Sequence, residues 1–330
     1  MMSTNNSSSP QDHHIHPTIL GQPITIKHPD SVRLLLQNPN GISSEDDCFQ
    51  YKLYMEQMKS LDVDIVALSE TNINWRNYNV YKNIQEHRKT TFIHSHHIVS
   101  SSTKTFDTPY QPGGCSLTLC KHTTGRYHSS ISDPLGRWSI VHLNTATSKP
   151  VTIICAYQVC NTSITKVGPK TAYSQQWSIL RDQGQLRPNP RKQFIKDLDT
   201  TISSYHSRGH KLILCGDFTE SIGDNEHGID LIITKYNLTD VIQYQHGQHQ
   251  QSTYSRGNKC LDYILVSQNV LPAIQQSAIL PFDYVMSSDH RPIYVDFNTS
   301  ILFGKDISPL MSRPARTLRS SNEKQTAQYV

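Results

Sequence analysis

The sequence predicts an α/β domain made of two packed β-sheets flanked by helices. Three observations point there. About ten short runs rich in Val, Ile, Leu and Tyr are bounded by Gly, Pro, Asn or Asp, the pattern of buried strands ended by turns. Helix-length stretches interrupt these runs without replacing them, so strands in one region alternate with helices in another. The chain has 330 residues, and no linker breaks its central part, so 31–298 reads as one domain with a sizeable core.

The expected strands are 32–37, 64–68, 91–97, 116–119, 138–144, 151–157, 211–215, 252–254, 261–266 and 293–297. The pair 138–144 and 151–157, joined through Ser148-Lys149-Pro150, reads as a hairpin. Helices are expected at 47–60, 172–183, 191–207 and 228–236. In the first, Phe49, Leu53, Met55 and Met58 are spaced as a core-facing stripe. Residues 1–30, rich in Ser, Asn, Pro and His, cannot bury enough to order themselves and read as a disordered leader. His13, His14 and His16 there read as a solvated tail rather than a metal site. Residues 299–330, with Arg313, Arg316 and Arg319, read as a disordered basic tail.

Hydrophobic residues make up 36% of the chain, the mean hydropathy is −0.51 and the formal charge is +4. That balance permits contact with a phosphate backbone without demanding it. No run approaches the ~18 apolar residues of a membrane span, and MMSTNNSSSPQDHHIHP lacks the apolar core of a signal peptide. The seven cysteines are odd in number, form no Cys-x-x-Cys, and include Cys155 and Cys215 within apolar runs. They read as buried free thiols, hence an intracellular protein, nuclear or cytoplasmic.

The ends of the strands hold the chemistry. Asn38-Pro-Asn40-Gly41 follows 32–37, Ser69-Glu70-Thr71-Asn72 follows 64–68, and Tyr157 closes 151–157. Gly216-Asp217-Phe218-Thr219 follows 211–215, Asp262 lies inside 261–266, and Ser288-Asp289-His290-Arg291-Pro292 precedes the last strand. Each is an ordinary turn or cap residue alone. Together they supply what hydrolysis of a phosphate ester requires: oxygen ligands for a hard cation, a group to orient or deprotonate water, and donors for the non-bridging oxygens. Oxygen-rich donors with one His and no Cys favour magnesium or manganese over zinc.

In this order and with comparable gaps, QNPNG, LSETN, the Tyr of ICAYQ, ILCGDF, CLDYILVS and SSDHRPI resemble the endonuclease/exonuclease/phosphatase superfamily. Within it the chain is most similar to retrotransposon-type and apurinic/apyrimidinic endonucleases. The resemblance implies a four-layer αββα fold over 31–298 and a magnesium-dependent phosphodiesterase, most simply a nuclease that nicks DNA. It implies Glu70 as principal metal ligand with Asn40 and Asp289 in or near the shell. Asp217 would activate water, held by Asn38. His290 would donate to a phosphate oxygen, oriented by Asp262, and Tyr157 would stand near the phosphate. An Asp–His pair also raises the pKa of the ring, favouring imidazolium beside an anion.

Two departures stand out. Thr219 occupies a position where the family has Asn, a donor worth ~10²–10³ in rate. Asn161 is the second expected substrate donor, provided the loop after Tyr157 carries an extra residue. The alternatives are therefore a phosphatase or phosphodiesterase acting on an inositol phosphate, a lipid or RNA, and a catalytically impaired nucleic-acid-binding relic. Outside these motifs, His94, His96 and His97 read as histidines without a role, 82–89 as a solvated helix face, and Trp75 and Tyr78 as the lining of a groove near Glu70.

Overall fold

The computed structural model describes residues 19–104, 108–247 and 251–304. The strands are β1 (Leu20–Gly21), β2 (Ser31–Gln37), β3 (Ile65–Ser69), β4 (Ser95–Ser100) and β5 (Cys115–Cys120). They continue with β6 (Tyr127–Ser132), β7 (Trp138–Leu143), β8 (Val151–Tyr157) and β9 (Lys211–Asp217). The last four are β10 (Leu238–Asp240), β11 (Asp262–Ser267), β12 (Ile274–Ile279) and β13 (Ile293–Asn298). One sheet has the order β1-β12-β13-β2-β3-β5-β4, the other β10-β11-β9-β8-β7-β6. Both are mixed, with parallel pairs β2–β3 and β8–β9 near their centres.

Side-chain alternation builds the layers. From β2, Val32, Leu34 and Leu36 enter the core between the sheets, where they join Ile153, Cys155, Ile213 and Cys215 of the other sheet. Leu35, with Val66 and Leu68 of β3, faces the other way, onto α1 (Phe49–Ser60) and α2 (Tyr78–Thr91). Beyond the second sheet, Ile154, Leu212 and Leu214 pack on α4 (Pro190–Ser207) and α5 (Ile229–Tyr236). Central strands covered on both faces are apolar throughout, which is why they were legible as continuous runs. The shorter helices are α3 (Ala172–Asp182), α6 (Val241–His246) and α7 (Thr299–Phe303). The architecture is the expected αββα sandwich.

Several expectations are corrected. In α1 the buried stripe is Tyr51, Tyr54, Met55 and Met58, whereas Phe49 and Leu53 are about half exposed (47% and 50%). Positions 51, 54, 55 and 58 follow the helical i, i+3, i+4, i+7 repeat, which 49 and 53 do not. The strand expected at 91–97 is β4 at Ser95–Ser100, because α2 runs to Thr91 and a turn follows. The segment 252–254 forms only an isolated bridge, Tyr254 to His290. The strands β6 and β12, YHSSIS and IQQSAI, escaped notice because their polar residues break the apolar signature. The leader also ends earlier than 30: Leu20 and Gly21 pair with Ile279 and Ala278, and the Tyr294 hydroxyl donates to Gln22 O at 2.8 Å. After 298, Thr299–Phe303 is helical. His13, His14, His16, Arg313, Arg316 and Arg319 lie outside the described residues. No described helix is long and apolar enough to cross a membrane. All seven cysteines are free, and Cys160 alone is exposed.

A buried ion pair sits on the outer face of the first sheet. Arg33 and Asp296 are each 1% exposed and meet in a fork, with Nε and Nη2 donating at 2.7 Å to the two carboxylate oxygens. Removing one partner strands the other charge. Arg33→Met should therefore cost about 3–5 kcal/mol, read as a lower urea midpoint at unchanged slope.

Candidate active site

Strand register places the site. Tyr157 pairs with Asp217 across β8–β9, and Asp217 pairs with Asp262 across β9–β11, so three polar residues align on adjacent strands. On the facing sheet, β2 and β3 run parallel and leave Asn38 and Glu70 at the same end. The close approach depends on Gly216, whose φ is +148° and where a Cβ would stand 1.9 Å from Ala156 O. Only glycine fits there, immediately before Asp217.

Asn38 joins the two sheets. Its Nδ2 donates to Glu70 Oε2 at 3.0 Å and to Asp217 Oδ2 at 2.8 Å, while its Oδ1 accepts from the Asn40 N–H at 2.7 Å. Asn38 is fully buried and its backbone carbonyl accepts from Ser288 Oγ at 2.6 Å. Ser288 Oγ in turn accepts from the His290 N–H at 3.0 Å, which fixes the start of the SDH segment. The corner residues Asn40, Glu70, Asn72 and Thr219 all have φ near +50°. Such left-handed conformations are held by surrounding structure and gather at functional sites.

His290 is fixed from one side and presented on the other. Its Nδ1 donates to Asp262 Oδ2 at 2.8 Å, and its Nε2 stands 4.0 Å from Asp217 Oδ2. Burial opposes charge on the ring, but Asp262, Asp217 and Asp289 outweigh it and raise the pKa to about 10. The ring is imidazolium at neutral pH, with an Nε2–H facing the cluster. Asp217, 2% exposed, is driven the opposite way from most aspartates: burial raises its pKa and the charge of Asp262 raises it further. Burial likewise raises Glu70, against the opposing pull of Asn38, His290 and the Tyr157 hydroxyl. Burial also pushes the Tyr157 phenol well above its ordinary value.

The donor set leaves oxygens unspent. Asp262 Oδ1 and Asp289 Oδ1 are buried without a hydrogen-bond partner. Asp289 Oδ2 lies 3.4 Å from the exposed Arg256. Asp217, Asp262 and His290 present ligand atoms within 4.8 Å of one another. Carboxylates that outnumber the available hydrogen-bond donors fit a hard divalent cation held by oxygen.

Asn40 is exposed, and its observed link to the cluster is its backbone N–H. The Thr219 N–H donates to Asp217 Oδ1 at 2.8 Å. Its hydroxyl is engaged elsewhere, donating to Val159 O at 3.2 Å and accepting from Arg191 Nη1. Asn161 does not line the small cavity of about 230 Å³ that holds Glu70 and Tyr157; Cys160 does. The expected extra residue is absent because the strand-end chain is pinned: Gln158 N donates to Asp217 O at 2.9 Å and Arg191 Nη1 to Val159 O at 2.6 Å. Trp75 is 7% exposed and meets the His97 ring edge-on, so it is core and not groove lining. Tyr78, 73% exposed, opens α2, and His96 stacks on Tyr127. Neither Cys160 nor Arg191 carried a signal in the sequence. Tyr254, whose ring centroid is 4.9 Å from that of His290, was visible there only as part of a short strand.

Solved structures with the same fold include the AP endonuclease LMAP from Leishmania major, with TM-score 0.55 and 14% identity over 81% of this chain and 88% of that one. The APE2 catalytic domain from Xenopus laevis gives 0.55 and 16%, over 81% and 92%. The 3′ phosphatase NExo from Neisseria, bound to a product DNA hairpin, gives 0.53 and 16%, over 81% and 99%. No curated protein matches the sequence. Residues 38–290 match the Endonuclease/Exonuclease/phosphatase family, and the chain belongs to it.

Proposed function

We propose that the protein is a magnesium-dependent DNA endonuclease of retroelement type that makes single-strand nicks, with manganese as the alternative cation. The observation that carries this is the Asn38 bridge, which holds Glu70 and Asp217 together opposite the Asp262–His290 pair. Asp217 takes the proton of the attacking water, its raised pKa bringing it nearer to working pH than an exposed aspartate. Asn38 fixes the carboxylate in place. His290 donates from Nε2 to a non-bridging oxygen, with Asp262 holding the ring. Tyr157, beside Glu70, stands near the phosphate. Glu70, Asn40 and Asp289 would hold the cation, which when bound supplies Lewis-acid polarisation of the phosphate. Support for DNA comes from the two AP endonuclease neighbours, the DNA hairpin held by the third, and the net charge of +4. The expected location is nuclear or cytoplasmic.

The test is nicking of supercoiled plasmid by purified protein with magnesium and with EDTA. Nicking with magnesium and none with EDTA is the expected result. Equal activity in both overturns the metal assignment, and activity on inositol phosphates, phospholipids or RNA but not plasmid overturns DNA. One observation favours a second reading, a catalytically impaired nucleic-acid-binding relic: the Thr219 hydroxyl is committed to Val159 and Arg191. That reading predicts DNA binding without nicking.

A further inference from the structure

The largest cavity described, about 560 Å³, lies beside the catalytic corner on the other side of the 158–162 loop. Thr162 lines both it and the Glu70 cavity, and Thr219 stands on its wall two residues after Asp217. Its size is that of a small-molecule site, and its charge is specific. Arg191, Lys192 and Lys259 face it with Glu220 and Asp224, three positive groups against two negative. Arg191 is paired with Glu220 at 2.7 Å and Lys259 with Asp224 at 2.6 Å. Among the described residues no carboxylate pairs with Lys192, which sits on the first turn of α4 with its charge uncompensated. The rest of the wall is neutral and hydrogen-bonding. It includes Gln158, 1% exposed, whose side-chain carbonyl has no donor.

We infer that this cavity seats one unpaired nucleotide flanking the scissile bond, its phosphodiester against Lys192 and its base against the neutral wall. One surplus positive charge matches one phosphodiester. A polyphosphorylated inositol would bring several negative charges against Glu220 and Asp224. A base stacked and paired in a duplex cannot enter, so the cavity selects single-stranded or flipped-out nucleotides. This deepens the phosphodiesterase reading and rests on it for the position of the scissile bond.

The test is binding, which requires no turnover. A fluorescein-labelled single-stranded trinucleotide with phosphorothioate linkages is titrated with the full chain by fluorescence anisotropy. Lys192→Glu should weaken binding about tenfold or more, whereas Lys196→Glu, exposed one turn further along α4, should change it less than about twofold. A nucleoside monophosphate should compete and an inositol trisphosphate should not. Equal losses from the two lysine variants overturn the proposal by making the effect general charge. So does failure of the wild type to bind, competition by the inositol phosphate in preference to the nucleotide, or equal binding of a blunt duplex. Lys192-dependent binding by a protein that fails to nick plasmid leaves the cavity standing and removes the nuclease reading alone.

Discussion

Asp217→Ala should abolish nicking, lowering the rate by about 10²–10⁴-fold, while leaving the fold cooperative. The size of the loss follows from the number of roles that meet on this carboxylate. It accepts from Asn38 at 2.8 Å and from the Thr219 N–H at 2.8 Å, and stands 4.0 Å from His290 Nε2. Truncation removes the base and also unpins Asn38, whose other bond orients Glu70. The stability change should be small by comparison. The lost hydrogen bonds cost stability, but the substitution also removes a buried group whose charge is disfavoured by burial and by Asp262. Plasmid nicking and a thermal melt on the same preparation check both halves. A variant that keeps more than about a tenth of wild-type nicking overturns the assignment of Asp217 as base, since a positioned base is worth at least 10²-fold. A variant that loses activity and cooperative melting together shows only a structural part.

Much of this arrangement was legible in the sequence because two signals coincide. Central strands such as 32–37 and 211–215 are buried on both faces and read as plain apolar runs. The polar residues that interrupt them at their ends are the ones that the register brings together. Edge elements were less legible: β6 and β12 carry serines and glutamines that the apolar pattern does not reward. The stripe of α1 was misplaced because Phe49 and Leu53 look like core residues and the two buried tyrosines do not. Within the site, the Asn38 bridge depends on two sheets meeting, which no local pattern encodes. The loop after Tyr157 was ambiguous for the same reason. Whether Cys160 or Asn161 faces Glu70 depends on Arg191, about thirty residues away in sequence, holding Val159 O.

Thr219→Asn should raise both stability and nicking, for separate reasons. Thr219 has φ +51°, a left-handed conformation that is a true outlier for a β-branched residue and one that Asn adopts several-fold more readily. Relief of that strain should contribute about 1 kcal/mol, a rise in melting temperature of about 2–4 °C for a domain of this size. The catalytic half concerns reach. The Thr219 hydroxyl is held between Val159 O and Arg191, and donates nothing to the cluster. A carboxamide is longer and carries two N–H donors, so one can hold Val159 O while the other turns toward substrate. A recovered transition-state donor is worth ~10²–10³ in rate. A more stable variant with at least tenfold faster nicking (about 1.4 kcal/mol) would mean that the native chain is a nuclease attenuated at this one corner. A more stable variant with unchanged, readily measured nicking would mean that His290 and the imidazolium it carries already supply the charge stabilisation, and that Thr219 serves only the turn. If neither protein nicks while both bind DNA, the loss lies outside this corner, and the binding reading replaces the enzymatic one.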